Sequence, residues 1–159
     1  MTTDPTFTHL DDNGQARMVD VTNRDISVRT ATASGCVKLS STVVALLREG
    51  GVPKGDVLAA ARVAGILGAK RTPDLIPLCH PIALHAVVVE LEITDAGVSI
   101  RASVKTADRT GVEMEALTAV SVASLTVIDM VKALDPSASI CDVRVETKSG
   151  GRSGDWVRD

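Results

Sequence analysis

Alternating apolar and polar positions predict four β-strands along the chain. The first covers residues 26–33 and the last covers residues 141–147, and both are rich in β-branched residues. Between them, residues 85–93 and 98–104 alternate in the same way on either side of the turn Asp95-Ala-Gly97. Two such segments joined by a short turn predict a β-hairpin.

Helical signals occupy the remaining segments. A short capped helix is predicted between Ser40 and Gly50, and a long one over residues 54–70, where Ala, Val, Leu and Ile dominate. Residues 112–134 contain neither Gly nor Pro, so Gly111–Leu134 predicts a second long helix, about 36 Å in length at 1.5 Å per residue.

The order of the long elements is strand, helix, strand, strand, helix, strand. This order predicts a ferredoxin-like α+β fold, a split βαβ arrangement in which an antiparallel sheet carries two long helices on one face. A length of 159 residues with 45% hydrophobic residues fits a single domain over 1–159. Residues 1 to about 15 and the Gly/Ser/Arg-rich residues 149–159 are expected to be flexible.

The second long helix is sparsely charged even on the side opposite its main apolar stripe. That side holds Met114, Glu115, Thr118, Val122, Leu125, Asp129 and Lys132. We expect another subunit to cover it, the alternative being a helix buried within a monomer. Glu115 and Asp129 lie roughly 21 Å apart along the axis. One small site therefore holds both only if two copies of the helix pack antiparallel about a two-fold axis.

The segment Leu75-Ile-Pro-Leu-Cys-His-Pro81 is a candidate site because its prolines restrict the backbone around a thiol and an imidazole. Two questions stay open at this point. His80 is either a hydrogen-bonded core histidine or a functional one. Cys79 is more simply explained as a small buried thiol than as a nucleophile. Adjacent Cys and His residues without a second such pair give zinc little support.

Three charged residues have a structural and a chemical interpretation. Lys54 precedes a Gly-Asp pair and resembles an anion-binding turn at a helix N-terminus, although a solvated lysine with Asp56 as the helix cap is the simpler explanation. Asp129 and Lys132, spaced i, i+3, form either a modest ion pair or a catalytic couple. On a half-apolar face, we expect desolvation to shift their pKa values towards catalytic use.

Composition narrows the possible partners and the compartment. A formal net charge of −3 excludes a global basic field for nucleic acid or anionic membranes, and one Phe, one Trp and no Tyr leave few stacking platforms. The longest uncharged stretch, residues 75–89, is shorter than the roughly 20 residues of a membrane helix. Residues 1–14 lack a secretory pattern. Three cysteines without CxxC spacing predict no disulfide framework and no zinc ribbon, and they favour a reducing cytoplasm.

Several sequence blocks, taken together, resemble one known family. They are Met18-Val-Asp-Val, Lys54-Gly-Asp-Val, Ala61-Arg-Val-Ala-Gly65, Ala69-Lys-Arg-Thr, Leu75-Ile-Pro-Leu-Cys-His-Pro81, Thr110-Gly-Val-Glu-Met-Glu-Ala-Leu-Thr-Ala119, Asp129-Met-Val-Lys-Ala133 and Lys148-Ser-Gly-Gly-Arg-Ser-Gly154. From about Thr8 to Trp156, their order and spacing are similar to those of the MoaC-type cyclic pyranopterin monophosphate synthases of molybdenum cofactor biosynthesis. One departure is Asp108, which stands where a glycine is usual.

The resemblance implies a ferredoxin-like subunit in a homohexamer, a trimer of dimers with sites at the dimer interfaces. It also implies conversion of a cyclised GTP intermediate, (8S)-3′,8-cyclo-7,8-dihydroguanosine 5′-triphosphate, into cyclic pyranopterin monophosphate and diphosphate. By the same resemblance, Asp129 would be an acid or base, with Lys132 and Lys54 as further catalytic residues. The substrate pocket would be lined by Leu78, Cys79, His80, Glu113, Met114, Glu115, Lys70 and Lys148.

Such a reaction needs proton transfers and cations on the diphosphate leaving group, but no hydride or electron transfer. We therefore predict no cofactor and no resident metal. Two other classes remain open. A non-catalytic ferredoxin-like module would bind a nucleotide without releasing diphosphate. A metal-dependent hydrolase would be sensitive to chelators, and its candidate ligands are only the scattered His9, His80 and His85.

Overall fold

The computed structural model describes residues 9–11 and 13–159, so residues 1–8 and 12 of the segment expected to be flexible lie outside the described residues. The strands are β1 (Ser27–Lys38), β2 (Ala86–Thr94), β3 (Gly97–Asp108), β4 (Ser139–Ser149) and β5 (Trp156–Val157). The helices are α1 (Ser41–Glu49), α2 (Val57–Lys70), α3 (Thr72–Leu75) and α4 (Glu113–Val131).

The sheet has the strand order β2-β3-β1-β4-β5, and all neighbouring strands are antiparallel. This arrangement confirms the predicted ferredoxin-like α+β fold, with α2 and α4 as its two long helices. The short β5 is an addition. It pairs with β4 inside the segment after residue 149, where the sequence predicts no strand.

The core lies between one face of the sheet and the helices. In β1 and β3 the buried residues face each other in register, as Ala33 does with Ala102 and Val37 with Val98. The alternate residues form a polar outer face, where the Thr32 hydroxyl lies 3.1 Å from that of Ser103. Period-two alternation therefore decides which side of the sheet each residue takes.

Local capping sets where the helices begin. The Asp56 side chain accepts a hydrogen bond from the Ala59 amide at 2.9 Å, so α2 begins at Val57 and leaves Lys54 in the preceding turn. Ser40 caps α1 through the Val43 amide, and Gly50 ends α1 in the left-handed conformation at φ 68°.

The helix α4 packs over the middle strands of the sheet, with α2 beside it. The two helices come close because Gly65 and Gly68 have no side chains: a Cβ on Gly68 would lie 2.7 Å from a Val122 methyl group. Part of the second side of α4 is thus covered by α2 of the same chain. By length and composition α4 would suffice to cross a membrane, a property that it shares with core helices of folded domains.

A disulfide joins Cys36 on β1 to Cys141 on β4, with the two Cα atoms 5.1 Å apart. The prediction that the three cysteines form no disulfide is therefore wrong for this pair. The physical reason is topological: the two residues are 105 positions apart, but the sheet order makes them direct cross-strand partners.

Candidate active site

A cavity of about 210 Å³ lies where the 76–80 segment meets the N-terminus of α4. Six of the predicted pocket residues line it together, namely Leu78, Cys79, His80, Glu113, Met114 and Glu115. They come from two segments more than 30 positions apart in the sequence. The fold thus brings two of the sequence segments that resemble the known family, residues 75–81 and 110–119, to one concave surface.

His80 has a defined orientation at this cavity. One of its ring nitrogens, Nε2, lies 2.7 Å from the Val19 carbonyl oxygen. Because a carbonyl oxygen only accepts, Nε2 carries the hydrogen, and Nδ1 of the neutral ring is left as an acceptor. The side chain is half-buried and partnered, which fits a positioned site residue as well as a structural one.

Glu115 is the most perturbed acid of the site. Its residue is 3% exposed, and burial, reinforced by the negative charge of Glu113, raises its pKa from 4.5 to about 7, despite an opposing hydrogen bond from its own backbone. Glu113 itself lies 3.6 Å from the Lys148 ammonium. A carboxyl group with a pKa near neutrality can both donate and accept a proton at physiological pH.

This pKa predicts a pH-dependent stability. Between about pH 4.5 and 7, folded Glu115 keeps a proton that the unfolded chain has lost, so the free energy of unfolding falls as the pH rises through this window. Glu115→Gln removes that titration. At pH 8 we expect the free energy of unfolding of Glu115→Gln to exceed that of the wild type by up to about 3 kcal/mol. The difference should vanish near pH 4.

Denaturant unfolding at pH 4, 6 and 8 measures this difference. Glu92→Gln, an exposed glutamate on β2, is the matched control and should show no such trend. A Glu115→Gln difference that is the same at all three values would contradict the raised pKa.

Cys79 is half-buried at the same cavity, and its amide donates to the Ile76 carbonyl at 3.0 Å. Burial, and secondarily the charge of Glu115, raise the pKa of its thiol above the ordinary value, which disfavours the nucleophilic thiolate. We therefore expect Cys79→Ser to lower turnover by less than about tenfold, because serine keeps the shape and backbone position. Complete loss of turnover in a folded Cys79→Ser protein would instead assign a covalent role.

A second cluster lies at the other end of α4. The Lys132 ammonium is 2.8 Å from Oδ1 of Asp129, and the Lys54 ammonium is 3.5 Å from Oδ2 and 2.6 Å from the Asp129 carbonyl oxygen. Lys54, in the turn before α2, reaches this cluster because α2 runs antiparallel to α4. Both predicted catalytic lysines therefore contact Asp129.

The pKa of Asp129 is shifted by neighbouring charges and not, as predicted, by desolvation. Hydrogen bonding and charge from Lys132, followed by Lys54, lower the pKa of Asp129, and desolvation opposes them only weakly. The prediction that desolvation would dominate is wrong, because more than half of the Asp129 side chain is exposed in the single chain. Asp129 is thus held as a carboxylate, able to accept a proton or to fix the two lysines.

The two clusters do not meet within one chain. Glu115 and Asp129 belong to the same continuous helix, so they stay roughly 21 Å apart along its axis. The strip of α4 between the clusters carries Leu125, which is 58% exposed. Lys70, also predicted for the pocket, ends α2 on the surface and does not line the cavity.

Sequence reasoning missed the arginines beside this cavity. A neighbouring cavity of about 370 Å³ is lined by Arg24, Arg29 and Arg152, and Arg24 lines both cavities. The Arg29 Nε atom also donates to the carbonyl of Asp108, the last residue of β3, at 3.0 Å. Their positions in the sequence could have indicated them: Arg24 and Arg29 lie on either side of the start of β1, and Arg152 lies within residues 148–154.

Comparison with known proteins identifies the family. The sequence model of the MoaC family matches residues 18–151 of this chain. The chain belongs to the MoaC family. Both clusters and nearly all residues of the arginine-lined cavity fall within the matched residues 18–151.

Relatives in this MoaC family agree over nearly the full length. A protein of Nocardioides sp. named cyclic pyranopterin monophosphate synthase is 66% identical over 155 residues, covering 96% of this chain and 95% of the relative. One of the same name from Streptomyces griseus is 66% identical, covering 99% and 89%. Cyclic pyranopterin monophosphate synthase 2 of Mycobacterium tuberculosis is 57% identical, covering 96% and 91%.

Proposed function

We propose that this chain is a cyclic pyranopterin monophosphate synthase, a lyase of molybdenum cofactor biosynthesis. Its substrate would be (8S)-3′,8-cyclo-7,8-dihydroguanosine 5′-triphosphate, and its products cyclic pyranopterin monophosphate and diphosphate. The observation that carries the proposal is the convergence of separate family blocks on one cavity, in a chain two-thirds identical to proteins of that name.

The cavity supplies the proton-transfer groups. Glu115, with a pKa of about 7, gives or takes a proton as the purine-derived ring opens and the pterin forms. The His80 Nδ1 atom is a second acceptor, and Cys79 and Met114 contribute shape. The three arginines of the adjoining cavity suit phosphate oxygens, because guanidinium groups bind them through paired, charge-assisted hydrogen bonds.

The second cluster supplies fixed charge. Closing the cyclic phosphate expels diphosphate, so negative charge develops on the leaving group and positive side chains stabilise it. Lys132 and Lys54 provide such charge, and the Asp129 carboxylate holds them and accepts a proton. Asp129, Lys132 and Lys54 are accordingly the proposed catalytic residues.

We infer that the complete site is built between subunits of a homohexamer, a trimer of dimers. A cavity of about 210 Å³ is smaller than the usual 300–1,000 Å³ of ligand sites, although this substrate carries a triphosphate. The exposed strip of α4 offers a surface on which a second copy would pack. Val122 is midway between Glu115 and Asp129 in the sequence. A two-fold axis at this level of the helix, on the exposed side that carries Leu125, would place Glu115 of one chain beside Asp129 of the other.

The proposed setting is the cytoplasm, with a small-molecule substrate and no nucleic acid, membrane or cofactor partner. The net charge of −3 and the scarcity of aromatic side chains support the absence of nucleic-acid and membrane partners.

The test is one turnover assay. The purified protein is incubated with the cyclised intermediate, and diphosphate and cyclic pyranopterin monophosphate are measured together by enzymatic coupling and mass spectrometry. We expect one diphosphate per product formed, without loss of activity in a chelator. Binding without diphosphate release would indicate a nucleotide-binding module instead, and chelator-abolished turnover would contradict the metal-free mechanism.

A further inference from the structure

The disulfide between Cys36 and Cys141 lies on the polar outer face of the sheet. Cys36 follows the alternation of β1, in which Gly35 and Val37 point into the core, so its sulfur points away from the helices. Both cysteines are partly exposed, and the exposed Asp142 places a carboxylate oxygen within 4.8 Å of the two sulfurs. A thiol reagent in solution can therefore reach the pair.

Backbone pairing flanks the two cysteines on both sides, with a shift in register between Ser34 and Cys36. On one side of the pair, Val37 and Lys38 pair with Ile140 and Ser139 of β4. On the other side, Ala33 pairs with Val145, and the Ser34 hydroxyl donates to the Glu146 carboxylate. Breaking the sulfur–sulfur bond would leave both thiols facing each other in the sheet, ready to close again.

We propose that Cys36 and Cys141 form a reversible redox couple that exchanges with thiols and disulfides in solution. A thiolate of the reductant attacks one sulfur of the pair, which forms a mixed disulfide and releases the other cysteine as a thiolate that takes up a proton. A second thiol of the reductant then displaces the remaining cysteine. The net step consumes two reductant thiols and yields two cysteine thiols and one reductant disulfide, a transfer of two electrons.

The couple acts on stability, since it cross-links positions 105 residues apart in the unfolded chain. The contacts that position the site residues do not involve the disulfide. Lys148 is paired with Ala31, five residues from Cys36 along β1, or about 17 Å at the strand rise. The turn that follows Lys132 is held by the Asp135 carboxylate, which accepts from the Ser40 amide at 2.7 Å. Turnover should therefore be the same in both redox states.

The first test counts thiols on the native full-length protein. The protein is equilibrated with mixtures of reduced and oxidised dithiothreitol, quenched in acid, alkylated under denaturing conditions and weighed intact. We expect one alkylated cysteine, Cys79, at the oxidising end and all three at the reducing end, with the same midpoint in both directions. Reduction that requires a denaturant would overturn the proposal, as would three free thiols at the oxidising end.

The second test measures the melting temperature and the turnover of both forms. Reduction should lower the melting temperature by roughly 5–15 °C and leave turnover within about twofold. The double variant Cys36→Ser/Cys141→Ser should have the melting temperature of the reduced wild type in every redox mixture. Cys79→Ser should show the same decrease in melting temperature on reduction as the wild type. Equal melting temperatures for the two wild-type forms would overturn the proposal, and so would zinc retained by the reduced pair in native mass spectrometry.

Discussion

Replacing Lys132 with alanine is expected to abolish turnover while leaving the protein folded. The ammonium lies 2.8 Å from Asp129 and is 60% exposed, so the pair contributes little to stability in the single chain. Its charge is then available to the leaving diphosphate. Loss of such a positioned group typically costs about 10²–10⁴-fold in rate, whereas the melting temperature should fall by no more than about 2 °C.

Asp129→Asn should have the same effect, because the amide neither accepts a proton nor holds two ammonium groups by charge. A control is Arg48→Ala, which removes another exposed ion pair, in which Arg48 Nη2 lies 2.6 Å from Asp95 Oδ1, outside both clusters. It should leave turnover unchanged. Single-turnover assays on protein of verified oligomeric state measure all three variants. If Lys132→Ala or Asp129→Asn keeps more than a tenth of the wild-type rate, that residue is not catalytic.

The fold followed from periodicity because the ferredoxin-like order leaves each element with one buried face. Alternation in four segments predicted the sheet, the run of Ala, Val, Leu and Ile predicted α2, and the Gly- and Pro-free stretch predicted α4. The element ends depend on local contacts that periodicity does not contain. The Asp56 cap delays the start of α2 to Val57, and α4 ends at Val131 rather than Leu134.

Long-range contacts account for what the sequence did not predict. The Cys36–Cys141 bond was missed because the predicted first strand, residues 26–33, ends before Cys36, whereas β1 continues to Lys38 and pairs Cys36 with Cys141. The close packing of α2 on α4 depends on Gly68 facing Val122, a register that no single segment specifies.

Six of the eight residues that the resemblance implied for the pocket line one cavity, and Lys70 and Lys148 do not. The opposite pKa directions of Glu115 and Asp129, however, depend on burial and on which lysine lies nearby, and only the folded chain determines these. Arg24 and Arg29 escaped notice because a basic residue near a strand start has no signature of its own.

Mixing two inactive variants is expected to restore activity, which tests whether the site is shared between subunits. Glu115→Gln removes the proton-transfer group of the cavity, and Asp129→Asn disables the cluster at the other end of α4. The two residues lie roughly 21 Å apart in one helix, so a single site takes them from different chains. The two variants are unfolded together in equal amounts and reassembled, so half of the dimers should contain one chain of each variant. Each mixed dimer has one site with both defects and one with neither.

About a quarter of all sites should therefore recover, measured as diphosphate release against refolded wild type. In a second mixture, wild type is combined with the double variant Glu115→Gln/Asp129→Asn, so that both defects lie on the same chain. Shared sites would leave about a quarter of the activity, because every mixed dimer has a defect at both sites, whereas sites within one chain would leave about half. If the first mixture stays inactive and the second keeps half, each chain contains its own site. The exposed strip of α4 around Leu125 would then have to be explained without a catalytic partner.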